Sequence, residues 1–307
     1  MSTVLLISIL MTLAAAATPI LIAALGELVV EKAGVLNLGV EGMMLIGAVT
    51  GFAVAVTTGS PAIGAICAMG TAAAASLVFA FLTLSLTANQ VATGLALTIF
   101  GTGVSALAGA PFVGRTTATL GLAFPPSLSQ DPVLRLVFGH SPLVYIGLLL
   151  TLAVWWFLRR SRAGLILRAV GESDEAAHSI GYPVLRVRYL AVLFGGAMAG
   201  LGGSYYSLVL TPMWAERLTA GRGWIAIALV VFASWRPGRL LVGAYLFGAV
   251  ITLELQAKAA GFSALAPEFL SALPYLATIL VLAIISVGRQ GKTLAPACLG
   301  KPFRASA

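Results

Sequence analysis

Of 307 residues, 60% are hydrophobic and 9% are charged, with a mean hydropathy of +1.03; soluble domains carry about a quarter charged residues, so composition excludes a water-soluble globule and indicates a polytopic membrane protein. The formal net charge of +8 does not point to nucleic acid, because Lys and Arg flank apolar runs and form no basic patch interleaved with aromatics. Cys67 lies inside an apolar run and Cys298 near the C-terminus, which supports neither a disulfide framework nor a zinc site.

Apolar runs bounded by charge or by Pro and Gly clusters fall at about residues 3–25, 38–57, 61–86, 90–110, 142–158, 189–210, 223–235, 240–257 and 270–287. The expected fold is all-α and polytopic: one transmembrane domain over residues 1–307, with roughly nine transmembrane or half-membrane helices. Several runs are short or Gly-rich, as segments are that enter and leave by one face. In the first run, Ala14 to Ala17 mimic a signal-peptide cleavage region. No Lys or Arg precedes them, however, and the apolar run continues past Pro19 to Leu25, so it is read as a retained span.

Orientation follows from the cations. Arg159, Arg160, Arg162, Arg168, Arg186 and Arg188 crowd a loop at about 159–188, and Arg289, Lys292, Lys301 and Arg304 crowd a tail at about 288–307. The positive-inside rule makes both cytoplasmic, and four segments between them return the chain to the same side. Arg236 and Arg239 also fall inside, whereas Arg217 and Arg222 fall outside or in a re-entrant turn. The same count places the N-terminus and the loop at about 111–141 outside.

Between Glu27 and Gly42 the chain is polar and punctuated by Gly34, Gly39 and Gly42, which permit an unwound or closely packed backbone. Glu41 requires explanation, because a carboxylate at mid-membrane costs about 2.5–3.5 kcal/mol on insertion scales and must face protein or a wet cavity. Asn37 and Glu41 either satisfy the broken backbone or line a solute path. Asn89 and Gln90 open the fourth segment, with Thr93 one turn later. Such neutral amides either cap the helix or bond a hydroxylated or heterocyclic solute.

The loop at 111–141 contains Pro111, Pro125, Pro126 and Pro132, and a short helix is expected from Asp131 with Pro132 in its first position. Its length points to function, either a docking surface for an outside partner or a lid. His140 is read as a solvated loop residue, since no second metal-ligating side chain stands at suitable spacing beside it.

A polar island interrupts the oily sequence from Arg168 to Tyr182. Ser173 is a good N-cap, Asp174 and Glu175 put negative charge on a first turn, and Gly181 followed by Pro183 supplies a stop. The resulting helix of roughly two turns is marginal alone. It is either a solvated loop with one helical turn or a docking helix offered to a cytoplasmic partner. Further on, Gly196 and Gly200 stand four apart, a spacing that lets helices approach closely in lipid. The Gly221-Arg222-Gly223 turn before a short apolar run is expected to pin a re-entrant turn or to hold an anion. Glu254 has Lys258 one turn on as its partner.

No phosphate-binding loop, His-Glu-x-x-His or Gly-x-Ser-x-Gly pattern occurs, so an enzyme is not indicated. Glu41 and Glu254 leave an ion-coupled secondary carrier as the alternative from a different class, although no internal repeat supports two related halves.

Taken together, several stretches resemble the permease subunits of bacterial ABC importers, in the branch that handles branched-chain amino acids, simple sugars and nucleosides. Glu175-Ala176-Ala177 followed by Gly181 resembles that family's short cytoplasmic coupling helix. The stretches Glu31–Gly47, Ala88–Leu97 and Thr219–Ala228 are similar to the nucleoside members in particular. Asn37-Leu38-Gly39 stands where sugar permeases carry Asp-Leu-Ser, which argues against ribose-like solutes. The resemblance implies a subunit without chemistry of its own that imports nucleosides or related purine and pyrimidine solutes across a bacterial inner membrane. Simple-sugar or branched-chain amino-acid import is the alternative. It further implies coupling to an ABC ATPase through Glu172, Ser173, Asp174, Glu175, Ala176, Ala177 and Gly181, and a solute path near Asn37, Glu41, Asn89, Gln90 and Thr93. ATP and Mg belong to the ATPase, and no cofactor is expected on this chain. The implied partners are a second, longer permease in a heterodimer, a lipid-anchored or periplasmic binding protein, and membrane lipid.

Overall fold

The computed structural model describes residues 3–259 and 295–303, with isolated positions between 272 and 283. The expected ninth segment at 270–287 and the cations Arg289, Lys292 and Arg304 lie outside the described residues. Among the described residues seven helices are long and apolar enough to cross a membrane. These are α1 (Thr3–Lys32), α2 (Val40–Thr58), α3 (Pro61–Ala80), α4 (Gln90–Gly109), α6 (Pro142–Arg160), α9 (Val184–Tyr205) and α11 (Pro237–Ala259). Between them lie α5 (Pro132–Phe138), α7 (Arg162–Glu172), α8 (Asp174–Ser179) and α10 (Arg222–Phe232). The fold is all-α and polytopic, as expected.

The helices α1, α2, α3 and α9 form the centre, packing on one another more extensively than any other group, and α2 is buried along most of its length. Small residues make this possible, since interhelical association in lipid depends on close van der Waals approach. A Cβ added to Gly47 would lie 2.5 Å from the Cα of Gly200, and one added to Gly196 would meet Ser76 on α3 at 2.5 Å. The expected packing role of Gly196 and Gly200 is therefore what the helices use. In contrast, α4 carries Ile99, Phe100 and Leu107 on a surface exposed by 60–80% of each residue.

Three expectations require correction. The first span does not stop at Leu25 but continues to Lys32, because Glu27 and Glu31 are buried and bonded: Glu27 accepts from the backbone N–H of Asn37 at 3.2 Å, and Glu31 from the indole of Trp235. The sixth span begins earlier than residue 189, at Val184, and draws Arg188 out of the loop into the protein, where it is fully buried. The run at 223–235 is one of the half-membrane helices the sequence suggested: α10 has eleven residues, and beyond it Ala233, Ser234 and Trp235 donate to the carbonyls of Leu229, Val231 and Val230. His140 is not solvated. It is largely buried, its Nε2 is 3.0 Å from the Leu136 carbonyl, and its ring meets Tyr145 of α6 edge-on.

The segment between α4 and α6 lies along the end of α9. Thr117 and Leu120 donate backbone N–H groups to the carbonyls of Pro212 and Leu208. Asp131 caps α5 by accepting from Val133 and Leu134, with Pro132 in the first helical position.

Candidate functional site

Two constellations organise the polar residues. The first is the break between α1 and α2. Residues after Lys32 leave the helix, and Gly34 adopts φ +85°, a conformation open to glycine at little cost. The break leaves backbone donors that cannot reach a helical acceptor, and side chains take them. Asn37 is fully buried; its Oδ1 accepts from Gly39 N–H at 2.9 Å. Gln90, at the start of α4, is buried and accepts from Leu36 N–H at 2.7 Å. The oxygens of both amides are thus committed to backbone, while the Asn37 nitrogen donates to Met43 Sδ at 3.8 Å and the buried Gln90 nitrogen has no partner among the described residues.

Glu41 joins the break to a second element. Its carboxylate accepts from the Thr219 hydroxyl at 2.5 Å, from Gly221 N–H at 2.8 Å and from Gly223 N–H at 2.6 Å. Gly221 caps α10 with φ +78°, so Glu41 places negative charge on the positive end of that helix, where free N–H groups and the helix dipole favour an anion. The anion held by the Gly-Arg-Gly turn is therefore the protein's own carboxylate. Arg222 points elsewhere, its guanidinium 4.9 Å from the centre of the Tyr206 ring. Gly223 has no room for a side chain, since a Cβ there would lie 2.6 Å from the Cα of Glu41.

The remaining path candidates separate from this cluster. Asn89 is exposed and caps α4, accepting from Ala92 N–H at 3.0 Å, while half-buried Thr93 bonds back to the Asn89 carbonyl at 2.8 Å. Glu254 pairs with Lys258 at 2.7 Å along α11, as the spacing predicts.

The second constellation is the polar island. An amphipathic helix not anticipated from the sequence, α7, precedes it, capped by Ser161, which accepts from Gly164 N–H at 2.9 Å. Ser173 then accepts from Ala176 N–H at 3.3 Å and starts the six-residue α8, and Gly181 ends it at φ +89°. So short a helix needs docking. Ala177 supplies an apolar anchor, buried with Val170 and Val184. Asp174 supplies a polar one through an ion pair of 2.9 Å with Arg188, whose Nε donates to the Ala33 carbonyl at 3.1 Å. Glu172, Ser173, Glu175 and Ala176 remain exposed.

The island thus bears on the α1–α2 break through Arg188, and the tail covers the same junction. Cys298 N–H donates to the Gly171 carbonyl and Gly300 N–H to that of Gly34, at 3.0 and 3.2 Å. Phe303 packs edge-on against His178 at 5.5 Å. Burial pushes the Cys298 thiol above its usual pKa. The neighbours on this junction were invisible in the sequence, because they come from residues 33–36, 171–188 and 298–303.

Comparison with known proteins agrees with this architecture. The chain is 42% identical to the "Putative glucose ABC transporter permease protein TsgC13" of Haloferax volcanii, over 91% of this chain and 92% of that one. It is 31% identical to the guanosine ABC transporter permease protein NupQ of Bacillus subtilis, over 94% and 93% of the two chains. With the nucleoside ABC transporter permease protein NupC of Lactococcus lactis the identity is 28%, over 91% of each. The family described as branched-chain amino acid transport system / permease component matches residues 9–284, and the chain belongs to it: it is a membrane-spanning permease subunit of the ABC transporter type, not itself an enzyme.

Proposed function

We propose that this permease takes up nucleosides or related purine and pyrimidine solutes, driven by ATP hydrolysis on a partner ATPase. The observation that carries the solute class is the similarity to the guanosine permease NupQ over nearly the whole chain. A neutral solute also suits Glu41, both of whose carboxylate oxygens are taken up by the Thr219 hydroxyl and the backbone of Gly221 and Gly223. A second reading, hexose uptake, is favoured by the 42% identity to TsgC13.

In this reading α8 receives the ATPase on the cytoplasmic side through Glu172, Ser173, Glu175 and Ala176, and the N-terminus lies outside. Asp174, Ala177 and Gly181 hold α8 in shape. Displacement of α8 reaches the α1–α2 break through Asp174, Arg188 and Ala33, and there Asn37, Gln90 and Glu41 hold the arrangement that must change for access to alternate. Asn89 and Thr93 border the path on the exposed face of α4, against which a second, longer permease packs. A binding protein delivers solute to the outer segment at 111–141.

The test is reconstitution of the chain with its co-purifying partners, followed by uptake and ATP hydrolysis against nucleosides, free bases, glucose, pentoses and amino acids. Stimulation by nucleosides is expected. Stimulation by glucose alone would transfer the assignment to the second reading, and transport by the isolated chain without ATP would refute the ABC mechanism for it.

A further inference from the structure

Five cations line one cavity of about 480 Å³ where four elements meet: Lys32 at the end of α1, Arg159 at the end of α6, Arg168 on α7, and Arg236 and Arg239 at the turn into α11. None makes an ion pair among the described residues. One carboxylate, Glu172, lies nearby, on an adjoining cavity that shares Lys32 and Arg168. Glu31, next to Lys32 in sequence, is turned to the indole of Trp235 and does not line the cavity. Glu172 and Glu31 act on Lys32, but five like charges still outnumber the carboxylates around them; they repel one another, and a bound anion relieves that repulsion.

The cavity wall is also conformationally costly. Ser234 and Trp235 both adopt left-handed backbone, φ +53° and +55°, which disfavours side-chain-bearing residues. The bonds of Trp235 to Glu31 and to the Val230 carbonyl hold this turn and aim Arg236 and Arg239 at the cavity.

The surroundings identify the anion's source. Both α6 and α11 are spans, and from the cavity their exposed faces run away as Trp156, Leu152 and Leu149 on one helix and Val242 and Leu246 on the other. Trp155, half-exposed on the cavity rim under Arg159, has the amphipathic character of residues at a membrane–water interface. A ligand with an anionic head and two apolar tails matches both the charge and the flanking surface. We propose that this cavity binds the phosphate of an anionic phospholipid, with its acyl chains along α6 and α11, tying the end of α1 to α7 and to the α10–α11 turn. The site is independent of which solute is carried.

The full-length chain purified in detergent would be incubated with phosphatidylglycerol, with phosphatidylcholine of the same acyl chains, or with inorganic phosphate, and retained lipid read by native mass spectrometry. Phosphatidylglycerol should be retained at least about tenfold better than phosphatidylcholine. Arg236→Gln with Arg239→Gln should remove most of that preference, Arg236→Lys with Arg239→Lys should restore it, and Arg115→Gln with Arg135→Gln in the outer segment should leave it unchanged. Equal retention of the two lipids, or full retention by the double Gln variant, would overturn the site. Displacement of phosphatidylglycerol by millimolar inorganic phosphate would overturn the lipid as its occupant.

Discussion

Glu41, in the first turn of α2, accepts a 2.6 Å hydrogen bond from the backbone of Gly223, 182 residues further along the chain at the start of α10. This side chain ties the turn before α10 to the start of α2, at the centre of the bundle. Truncation by Glu41→Ala strands three donors, those of Thr219, Gly221 and Gly223. At about 1–3 kcal/mol for each buried unpaired group, the loss should reach about 3 kcal/mol or more. Glu41→Gln, which keeps one carbonyl acceptor, should fall between. Thermal unfolding of the detergent-solubilised chain gives the order, and an Ala variant as stable as the parent would contradict this role.

Close backbone approach between α2 and α9 makes a second expectation. Gly47→Ala drives a Cβ into Gly200 and should cost about 1–3 kcal/mol through overpacking. Gly70→Ala on α3 meets nothing within 4 Å and should be neutral or stabilising, because glycine weakens a helix interior. Equal unfolding midpoints for the two variants would show that the contact is not tight.

The polar island separates support from docking. Asp174→Lys removes the partner of the fully buried Arg188 and should destabilise the fold by about 3–5 kcal/mol. Gly181→Pro should break the turn after α8, since φ +89° is closed to proline. Glu172→Lys, on an exposed position, should leave folding intact and abolish solute-stimulated ATP hydrolysis in the reconstituted complex. Coupling retained by Glu172→Lys would remove that residue from the ATPase contact.

His140 gives the outer segment a pH dependence of defined sign. Burial holds its pKa below the usual 6.5, partly opposed by the Leu136 carbonyl. The folded state therefore favours neutral imidazole, so its contribution is fully present above pH 6.5 and is lost as pH falls through the lowered value. Proteolysis of the 111–141 segment should accelerate between pH 7 and 5 in the parent and show a weaker pH dependence in His140→Gln. Identical pH profiles would exclude His140 as the origin.

Hydropathy and punctuation were enough to locate the spans from α2 to α6 closely and to place α5 and α8 at their capping residues, because apolar length, Pro and Ser or Asp caps act locally. The same local reading ended α1 at its carboxylates and left Arg188 in a loop, since the donors and acceptors that make burial tolerable come from Asn37, Trp235, Asp174 and Ala33. Composition and motifs were enough for a membrane-embedded helical permease, with Glu41, the Gly-Arg-Gly turn and the polar island each marked by polarity out of place in an oily chain. It took the packed helices to make Glu41 the anion of that turn, to let Arg188 tie the island to the broken segment, and to bring five dispersed cations to one cavity. A buried charge is settled by the partner that meets it, and here the partners come from distant segments of the chain.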